Sequence, residues 1–144
     1  MRSSSGPAPG HARVLIVDDS AANRAFVRAA LPRADIEADE AVGGREAVAL
    51  SEDHLYDLIL MDVHMPEMDG ISALRAIRSG SGISSAAPIF AFTAEADSTR
   101  LAALRGAGFD QTVSKPVNFA ELQRTVAAVI RNPELRREGV QRVA

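Results

Sequence analysis

Short apolar runs alternate along the chain with longer segments of helical pattern. The runs cover residues 14–17, 58–61 and 89–92, with weaker strand candidates at 36–41 and 112–114. Helices are predicted at about 20–31, 45–50, 71–78, 97–105 and 118–130. The three strongest runs show no polar alternation, which is typical of strands buried on both faces of a parallel sheet. Five units, each a strand followed by a helix, predict an α/β domain with a doubly wound, five-stranded parallel sheet.

Residues with known preferences for helix ends support these bounds. Ser20 and Asn118 are expected N-caps, and Glu121 nearly completes a capping box with Asn118. Pro32 is expected to end the first helix, and Gly108 lies in a suitable C-cap segment for the fourth.

Length and composition fit one globular domain. The chain has 144 residues, of which 47% are hydrophobic, and its 16 basic and 19 acidic residues give a net charge of −3 (16 − 19). Residues 1–12 are rich in Ser, Gly, Pro and Ala, and are expected to form a flexible tail. The domain itself is expected at 13–131. Residues 132–144 are expected to form a tail or a short extra helix, because Asn132-Pro133-Glu134 resembles a helix start.

Several classes of protein are disfavoured by the sequence. It contains no cysteine, which rules out disulfides and thiolate metal sites. No apolar stretch is long enough to span a bilayer, and the N-terminus lacks the apolar core of a secretory signal. We therefore expect a cytoplasmic protein without a membrane partner. The mildly acidic balance also disfavours direct binding to nucleic acid.

Chemically capable residues lie where four of the apolar runs end. These are Asp18 and Asp19 after the first run, Asp62 after the third, Thr93 after the fourth and Lys115 after the fifth. The carboxyl ends of parallel strands share one edge of the sheet, where ligands bind in such folds. Two like charges about 4 Å apart interact by about 4 kcal/mol at an effective dielectric of about 20, so three acids there call for a cation. Mg²⁺ is the expected ion, since it prefers oxygen ligands.

The single lysine of the chain stands at this edge. Lys115 is the only lysine among 16 basic residues, so arginine is used 15 times (16 − 1). Lysine is a compact point charge, whereas arginine is a wide planar fork. Carboxylate, Mg²⁺, hydroxyl and ammonium together suit transfer of a phosphoryl group onto a carboxylate.

Each of these residues also has a simpler interpretation. Asp18 and Asp19 could be a charge pair at a helix N-terminus, with Ser20 as cap. Thr93 could be the N-cap of the fourth helix, or serve both purposes. His64 is better interpreted as a surface side chain than as a metal ligand, because Mg²⁺ prefers oxygen.

Four segments resemble the response regulator receiver domains of two-component signalling. They are VLIVDDS, LILMDVHMPEMDG, PIFAFTAEA and SKP, which occur in this order over residues 13–131. The resemblance implies a flavodoxin-like (βα)5 fold, and a phosphoryl group taken by Asp62 from a phosphohistidine. It implies that Mg²⁺ is bound by Asp19, Asp62 and the main-chain carbonyl of His64, with Asp18 acting through water. It also implies that Thr93 and Lys115 bind the phosphoryl oxygens, and that the Lys115–Pro116 peptide bond is cis.

Three positions depart from the family pattern or vary within the family. The family often has an aromatic residue three positions before the lysine, and this chain has Thr112 there. Thr112 therefore disfavours the usual switch of the family, in which this aromatic side chain rotates inward on activation. The family tunes its dephosphorylation rate at the positions of His64 and Glu95.

The leading functional hypothesis is a phosphoacceptor module that switches or relays a signal. Its expected partners are a histidine kinase or a histidine phosphotransfer protein, and a downstream effector protein. It is not expected to be an enzyme beyond its own phosphorylation and dephosphorylation. The alternative is the receiver portion of a hybrid sensor histidine kinase, which the HMPEMDG segment and Asn23 resemble. No output domain is expected within this sequence.

Three other classes of protein fit the sequence less well. A Mg²⁺-dependent phosphatase with an aspartyl nucleophile typically has a second acid two residues after that nucleophile, where this chain has His64. A flavin-binding domain needs a phosphate-binding loop after the first strand, and Asp18-Asp19 would repel phosphate there. A degenerate receiver is disfavoured by the complete set of acids, Thr93 and Lys115.

Overall fold

The computed structural model describes residues 12–31, 36–94 and 97–131. Strands and helices alternate strictly over this part of the chain. The elements are β1 (Ala12–Val17), α1 (Ala21–Ala30), β2 (Ile36–Ala41), α2 (Gly44–Asp53), β3 (Leu58–Asp62), α3 (Gly70–Ser79), β4 (Ile89–Thr93), α4 (Ser98–Ala107), β5 (Gln111–Ser114) and α5 (Phe119–Arg131). β1 begins at Ala12, one residue inside the segment assigned to the N-terminal tail. The expectations for the rest of that tail, for Pro32, for Glu95 and for residues 132–144 concern residues outside the described part of the chain.

The five strands form one parallel sheet in the order β2-β1-β3-β4-β5. The predicted α/β fold with a doubly wound parallel sheet is therefore confirmed. In this order the chain reverses direction across the sheet between β1 and β3, which is where such folds bind ligands. Asp18 and Asp62 follow or end those two strands.

Two apolar layers cover the two faces of the sheet. Alternate residues of each strand point to opposite faces, so in β1 Leu15 and Val17 pack with α2, α3 and α4, whereas Val14 and Ile16 pack with α1 and α5. Burial on both faces explains why β1, β3 and β4 lack polar alternation. β2 lies at one edge of the sheet, and its sequence IEADEA is correspondingly polar.

Polar side chains cap the starts of four helices. The caps are Ser20, Asp69, Asp97 and Asn118, and each accepts a hydrogen bond from a main-chain N–H in the first turn that follows. Ser20 and Asn118 were predicted in this role. Thr93 is not the N-cap of α4, because Asp97 caps that helix. At the other end of α4, Gly108 adopts a φ of 125°, which a glycine tolerates without strain.

None of the described helices is long and apolar enough to cross a bilayer.

Candidate functional site

Four strand ends bring the predicted site residues to one edge of the sheet. Val17 lies opposite Met61, so Asp18 follows β1 beside the last residue of β3, Asp62. Asp62 in turn lies opposite Phe92, one residue before Thr93. Thr93 lies opposite Ser114, which directly precedes Lys115. The common edge expected from the sequence is thus produced by strand register alone.

Three carboxylates converge at this edge. Oxygen atoms of Asp18, Asp19 and Asp62 all lie within 4.8 Å of one another. Asp18 and Asp62 are buried, whereas Asp19 is exposed. A cluster of three hard oxygen donors with one side open to solvent fits a Mg²⁺ ion, which binds through carboxylates and keeps several waters.

Burial raises the pKa of Asp18 above its ordinary value. The nearby charge of Asp62 raises this pKa further. A hydrogen bond from the Ser20 N–H, 2.9 Å from Asp18 Oδ1, and the positive charge of Lys115 both oppose the increase. Desolvation and like-charge repulsion therefore both favour a cation at this site.

The Lys115 ammonium group supplies one positive charge. Its Nζ donates a hydrogen bond of 2.7 Å to Asp62 Oδ1. The Lys115 main-chain N–H donates to the carbonyl oxygen of Thr93 at 2.9 Å, which fixes the chain just after β5 to the end of β4. The peptide bond between Lys115 and Pro116 is cis, as the resemblance implied.

The other two predicted site residues are Thr93 and His64. Thr93 is buried at the end of β4. His64 lies in the loop after β3, and its side chain is exposed, in agreement with its interpretation as a surface residue. The acid cluster found among the described residues contains no histidine ring. Metal binding by the His64 carbonyl stays a prediction.

The loop between β3 and α3 is tightly folded over the end of β3. The Gly70 N–H donates to the Val63 carbonyl at 2.8 Å. A β-carbon on Gly70 would lie 2.6 Å from the Asp62 carbonyl oxygen, so only glycine fits this approach. Glu67 adopts a φ of 66°, which is unusual for a residue with a side chain. Asp69 caps α3, and the Ser72 N–H holds the pKa of Asp69 below its ordinary value.

A cleft of about 270 Å³ opens beside the acids. Its polar lining residues are Asp18, Asn23 and Lys115, and the others are apolar residues of α1, β4 and the start of the β5–α5 connection. The lining residues are Asp18, Asn23, Phe26, Val27, Phe92, Lys115, Pro116 and Val117. Phe26 is 42% exposed near the cleft, and its ring packs edge-on against Phe119 at 5.7 Å between centroids. The helical pattern placed Phe26 on the apolar face of α1 but could not predict this partner on α5.

Sequence reasoning also missed Arg24. This side chain donates from Nη1 to the carbonyl oxygen of Asp18 at 2.7 Å and from Nε to Glu40 at 2.8 Å. No sequence signal would identify it, because the two contacts depend on how α1 packs against the end of β1 and on how β2 pairs with β1.

Comparisons with known proteins agree with this geometry. A sequence model of the response regulator receiver domain matches residues 14–127. The chain is 36% identical over 133 residues to the sensor protein GacS of Pseudomonas syringae pv. syringae, covering 88% of this chain and 15% of that protein. It is 37% identical over 119 residues to the transcriptional regulatory protein ResD of Bacillus subtilis strain 168, covering 83% of this chain and 48% of that protein. This chain thus spans less than half of either relative.

A solved structure carries the same fold with a bound metal. It is the receiver domain of a sensor histidine kinase from Pseudomonas aeruginosa PAO1, with a magnesium ion coordinated in its active site cleft. It matches with a TM-score of 0.71 and 32% identity, covering 85% of this chain and 99% of that one. By its sequence match, its sheet order and its cluster of acids at the sheet edge, this chain belongs to the family of response regulator receiver domains.

Proposed function

We propose that Asp62 is the phosphoacceptor of this domain, and that the domain switches or relays a two-component signal. The observation that carries the proposal is that the Asp62 carboxylate accepts a 2.7 Å hydrogen bond from the Lys115 ammonium group and lies within 4.8 Å of carboxylate oxygens of Asp18 and Asp19. This arrangement gives one nucleophilic carboxylate, one fixed cation and two further acids for a metal ion.

The proposed reaction exchanges one phosphorus bond for another. A carboxylate oxygen of Asp62 attacks the phosphorus of a phosphohistidine and forms a P–O bond. The P–N bond breaks, and its electron pair stays on the departing ring nitrogen. The ring leaves as neutral imidazole because its other nitrogen carries a proton. The Lys115 ammonium group opposes the negative charge on the phosphoryl oxygens, and Thr93 is assigned a hydrogen bond to one of them.

The groups assigned to Mg²⁺ are the carboxylates of Asp19 and Asp62 and the main-chain carbonyl of His64, with Asp18 acting through water. When bound, this ion would offset negative charge on the phosphoryl group. Its fit is supported by three carboxylates with oxygens within 4.8 Å of one another, and by the magnesium ion in the Pseudomonas aeruginosa relative.

The proposed partners follow from the chemistry of the donor. A phosphohistidine is supplied by a histidine kinase or by a histidine phosphotransfer protein. Both a sensor protein and a transcriptional regulatory protein contain a segment similar to this chain. We therefore assign residues 13–131 to a receiver of a response regulator, with a hybrid kinase as the alternative. We expect it to act in the cytoplasm and to catalyse only its own phosphorylation and dephosphorylation.

Phosphorylation by a small donor tests the assignment. The purified protein is incubated with acetyl phosphate and Mg²⁺, and its intact mass is measured. We expect the mass of one phosphoryl group to be added, and hydroxylamine to remove it, as it does for acyl phosphates. Asp62→Asn should prevent labelling, whereas the matched variant Asp53→Asn, at an exposed position at the end of α2, should label normally. Unchanged labelling of Asp62→Asn would refute the proposal.

A further inference from the structure

We propose that Arg24 is a positioning residue that fixes the Asp18–Asp19 turn and thereby sets the metal affinity of the acid cluster. The inference rests on the proposed function, because it assigns Mg²⁺ to these acids. Arg24 is on α1 and touches neither the Asp62 carboxylate nor the Lys115 side chain through any hydrogen bond seen among the described residues. Its action is therefore indirect, through the main chain.

The Arg24 guanidinium group connects three elements. Its Nη1 donates to the main-chain oxygen of Asp18 at 2.7 Å, just after β1. Its Nε donates to Oε1 of Glu40 at 2.8 Å, in β2. The side chain is only 14% exposed, so it is held in place by packing as well as by these bonds. The planar fork allows one side chain to serve both partners at once.

Asp19 is the acid that needs such a restraint. Asp18 is held by burial, by a main-chain N–H bond to the Ala41 oxygen at 3.1 Å, and by the Ser20 N–H on its carboxylate. Asp19 is exposed, so side-chain packing contributes little to its position. Repulsion from the two neighbouring carboxylates pushes it toward solvent.

The peptide that joins the two acids links Arg24 to Asp19. The carbonyl oxygen bonded by Arg24 belongs to the same planar unit as the Asp19 N–H. Fixing that oxygen fixes the orientation of the plane, and so limits the directions in which the Asp19 side chain can leave the main chain. Arg24 thus acts on metal affinity through the geometry of the turn.

Arg28 provides a natural control, because it shares one partner with Arg24 but not the other. Its Nε donates to Oε2 of Glu40 at 2.7 Å, and its Nη2 donates to the Ala38 oxygen at 3.2 Å. Glu40 therefore keeps one arginine partner when either residue is replaced. Both replacements also remove one positive charge, so a difference between them reports on the bond to Asp18.

The test is a titration of the unphosphorylated, ¹⁵N-labelled protein with Mg²⁺ alone, followed by the amide NMR shifts around Asp19 and Lys115. We expect Arg24→Met to weaken Mg²⁺ binding about tenfold, the lower end of the usual effect of an outer-shell partner. Arg28→Met should leave the affinity close to wild type. Arg24→Lys keeps the charge but lacks the fork, and should fall between Arg24→Met and wild type. Urea unfolding of each variant reports stability separately.

The outcomes separate this inference from the proposed function. Equal Mg²⁺ affinity in Arg24→Met and Arg28→Met would overturn the positioning role, even if the wild type labels normally with acetyl phosphate. A selective loss in Arg24→Met would support the role even if acetyl phosphate failed to label Asp62, which would refute only the proposed function. If Arg24→Met does not fold, the Mg²⁺ affinities of Arg24→Lys and Arg28→Lys are compared instead, and equal affinities would again overturn the positioning role.

Discussion

Lys115 and Asp62 are joined by a 2.7 Å hydrogen bond although they are 53 positions apart in the sequence. Asp62 ends β3 and Lys115 follows β5, with β4 between the two strands in the sheet. The side chain of Asp62 is 5% exposed and that of Lys115 is 28% exposed. A partly exposed ammonium group thus contacts a buried carboxylate.

Lys115→Arg tests whether a positive charge alone is sufficient there. The wider guanidinium fork cannot occupy the point that Nζ occupies beside Asp62. We expect the fold to be retained, but most of the change in α4 on adding the phosphoryl mimic beryllofluoride to be lost. Hydrogen exchange of α4 measures this change. Arg124→Lys, on the exposed face of α5, is the control for an exchange between lysine and arginine. Its α4 should respond to beryllofluoride as that of the wild type does. A full response in Lys115→Arg would mean that only the charge matters.

Asp19→Ala should weaken Mg²⁺ binding more than Asp18→Ala does. One oxygen of Asp18 already accepts the Ser20 N–H, whereas Asp19 is exposed and free to act as a direct ligand. Mg²⁺ titrations of both variants and of the wild type measure the order of affinities, and labelling with acetyl phosphate should slow in the same order. Equal affinity in all three proteins would show that the acids do not form a metal site.

The strand ends could be predicted from the sequence because strands buried on both faces are continuous apolar runs. Residues 14–17, 58–61 and 89–92 are continuous apolar runs, and a polar residue at the end of each is conspicuous. The polar strand β2 also has the bounds that the sequence predicts, residues 36–41. The Arg24–Asp18 bond could not be predicted, since it depends on how α1 packs against the end of β1. Thr93 was open to two interpretations because hydroxyl residues cap helices, and Asp97 filled that role instead.

Gly70→Ala should disrupt the site through the main chain. Its new methyl group would lie 2.6 Å from the Asp62 carbonyl oxygen and 2.8 Å from Val63 Cα, so backbone atoms must move. We expect a loss of about 2 kcal/mol in the free energy of unfolding and slower labelling of Asp62. Urea unfolding and intact-mass kinetics measure the two effects.

Gly106→Ala is the matched control for that change. Gly106 lies in α4, and a β-carbon there would meet nothing within 4 Å. Alanine is favoured over glycine in helices by about 1 kcal/mol, so this variant should be slightly more stable and should label normally. Equal effects of the two substitutions would contradict the proposed close approach at Gly70.

Glu40 gives a prediction about pH. Hydrogen bonds from Arg28 and then Arg24 hold the pKa of Glu40 below its ordinary value of 4.5. The folded state therefore favours the ionised form, so the stabilisation is fully present above the unfolded pKa and is lost as pH falls through the folded pKa. We expect Glu40→Gln to cost about 1 kcal/mol at pH 7. Urea unfolding at decreasing pH should show this difference shrinking below pH 4.5; a constant difference would assign the effect to something other than the charge.

Thr112 affects the route by which a conformational change can spread from the phosphorylation site. In the usual scheme of the family, an aromatic residue at this position moves inward after phosphorylation. Thr112 lies opposite Ala91 in the sheet and is half-buried, and its side chain is too small to fill the space left by a moving Thr93. The main-chain bond from Lys115 to Thr93 instead connects the two phosphoryl-binding candidates directly.

We therefore expect the segment from Ala94 to Asp97, of which residues 95–96 lie outside the described part of the chain, to carry the change into α4. Phosphorylation adds about −1.5 to −2 charges next to Thr93 and Lys115, which should draw the end of β4 toward Asp62 and shift the chain that follows it. Hydrogen exchange with and without beryllofluoride should show altered protection that begins at Ala94 and extends into α4. Because Thr112 contributes little in this scheme, the same pattern should persist in Thr112→Ala. Changes confined to the loop after Asp62 would contradict the prediction and would favour a domain that relays its phosphoryl group without reshaping its surface.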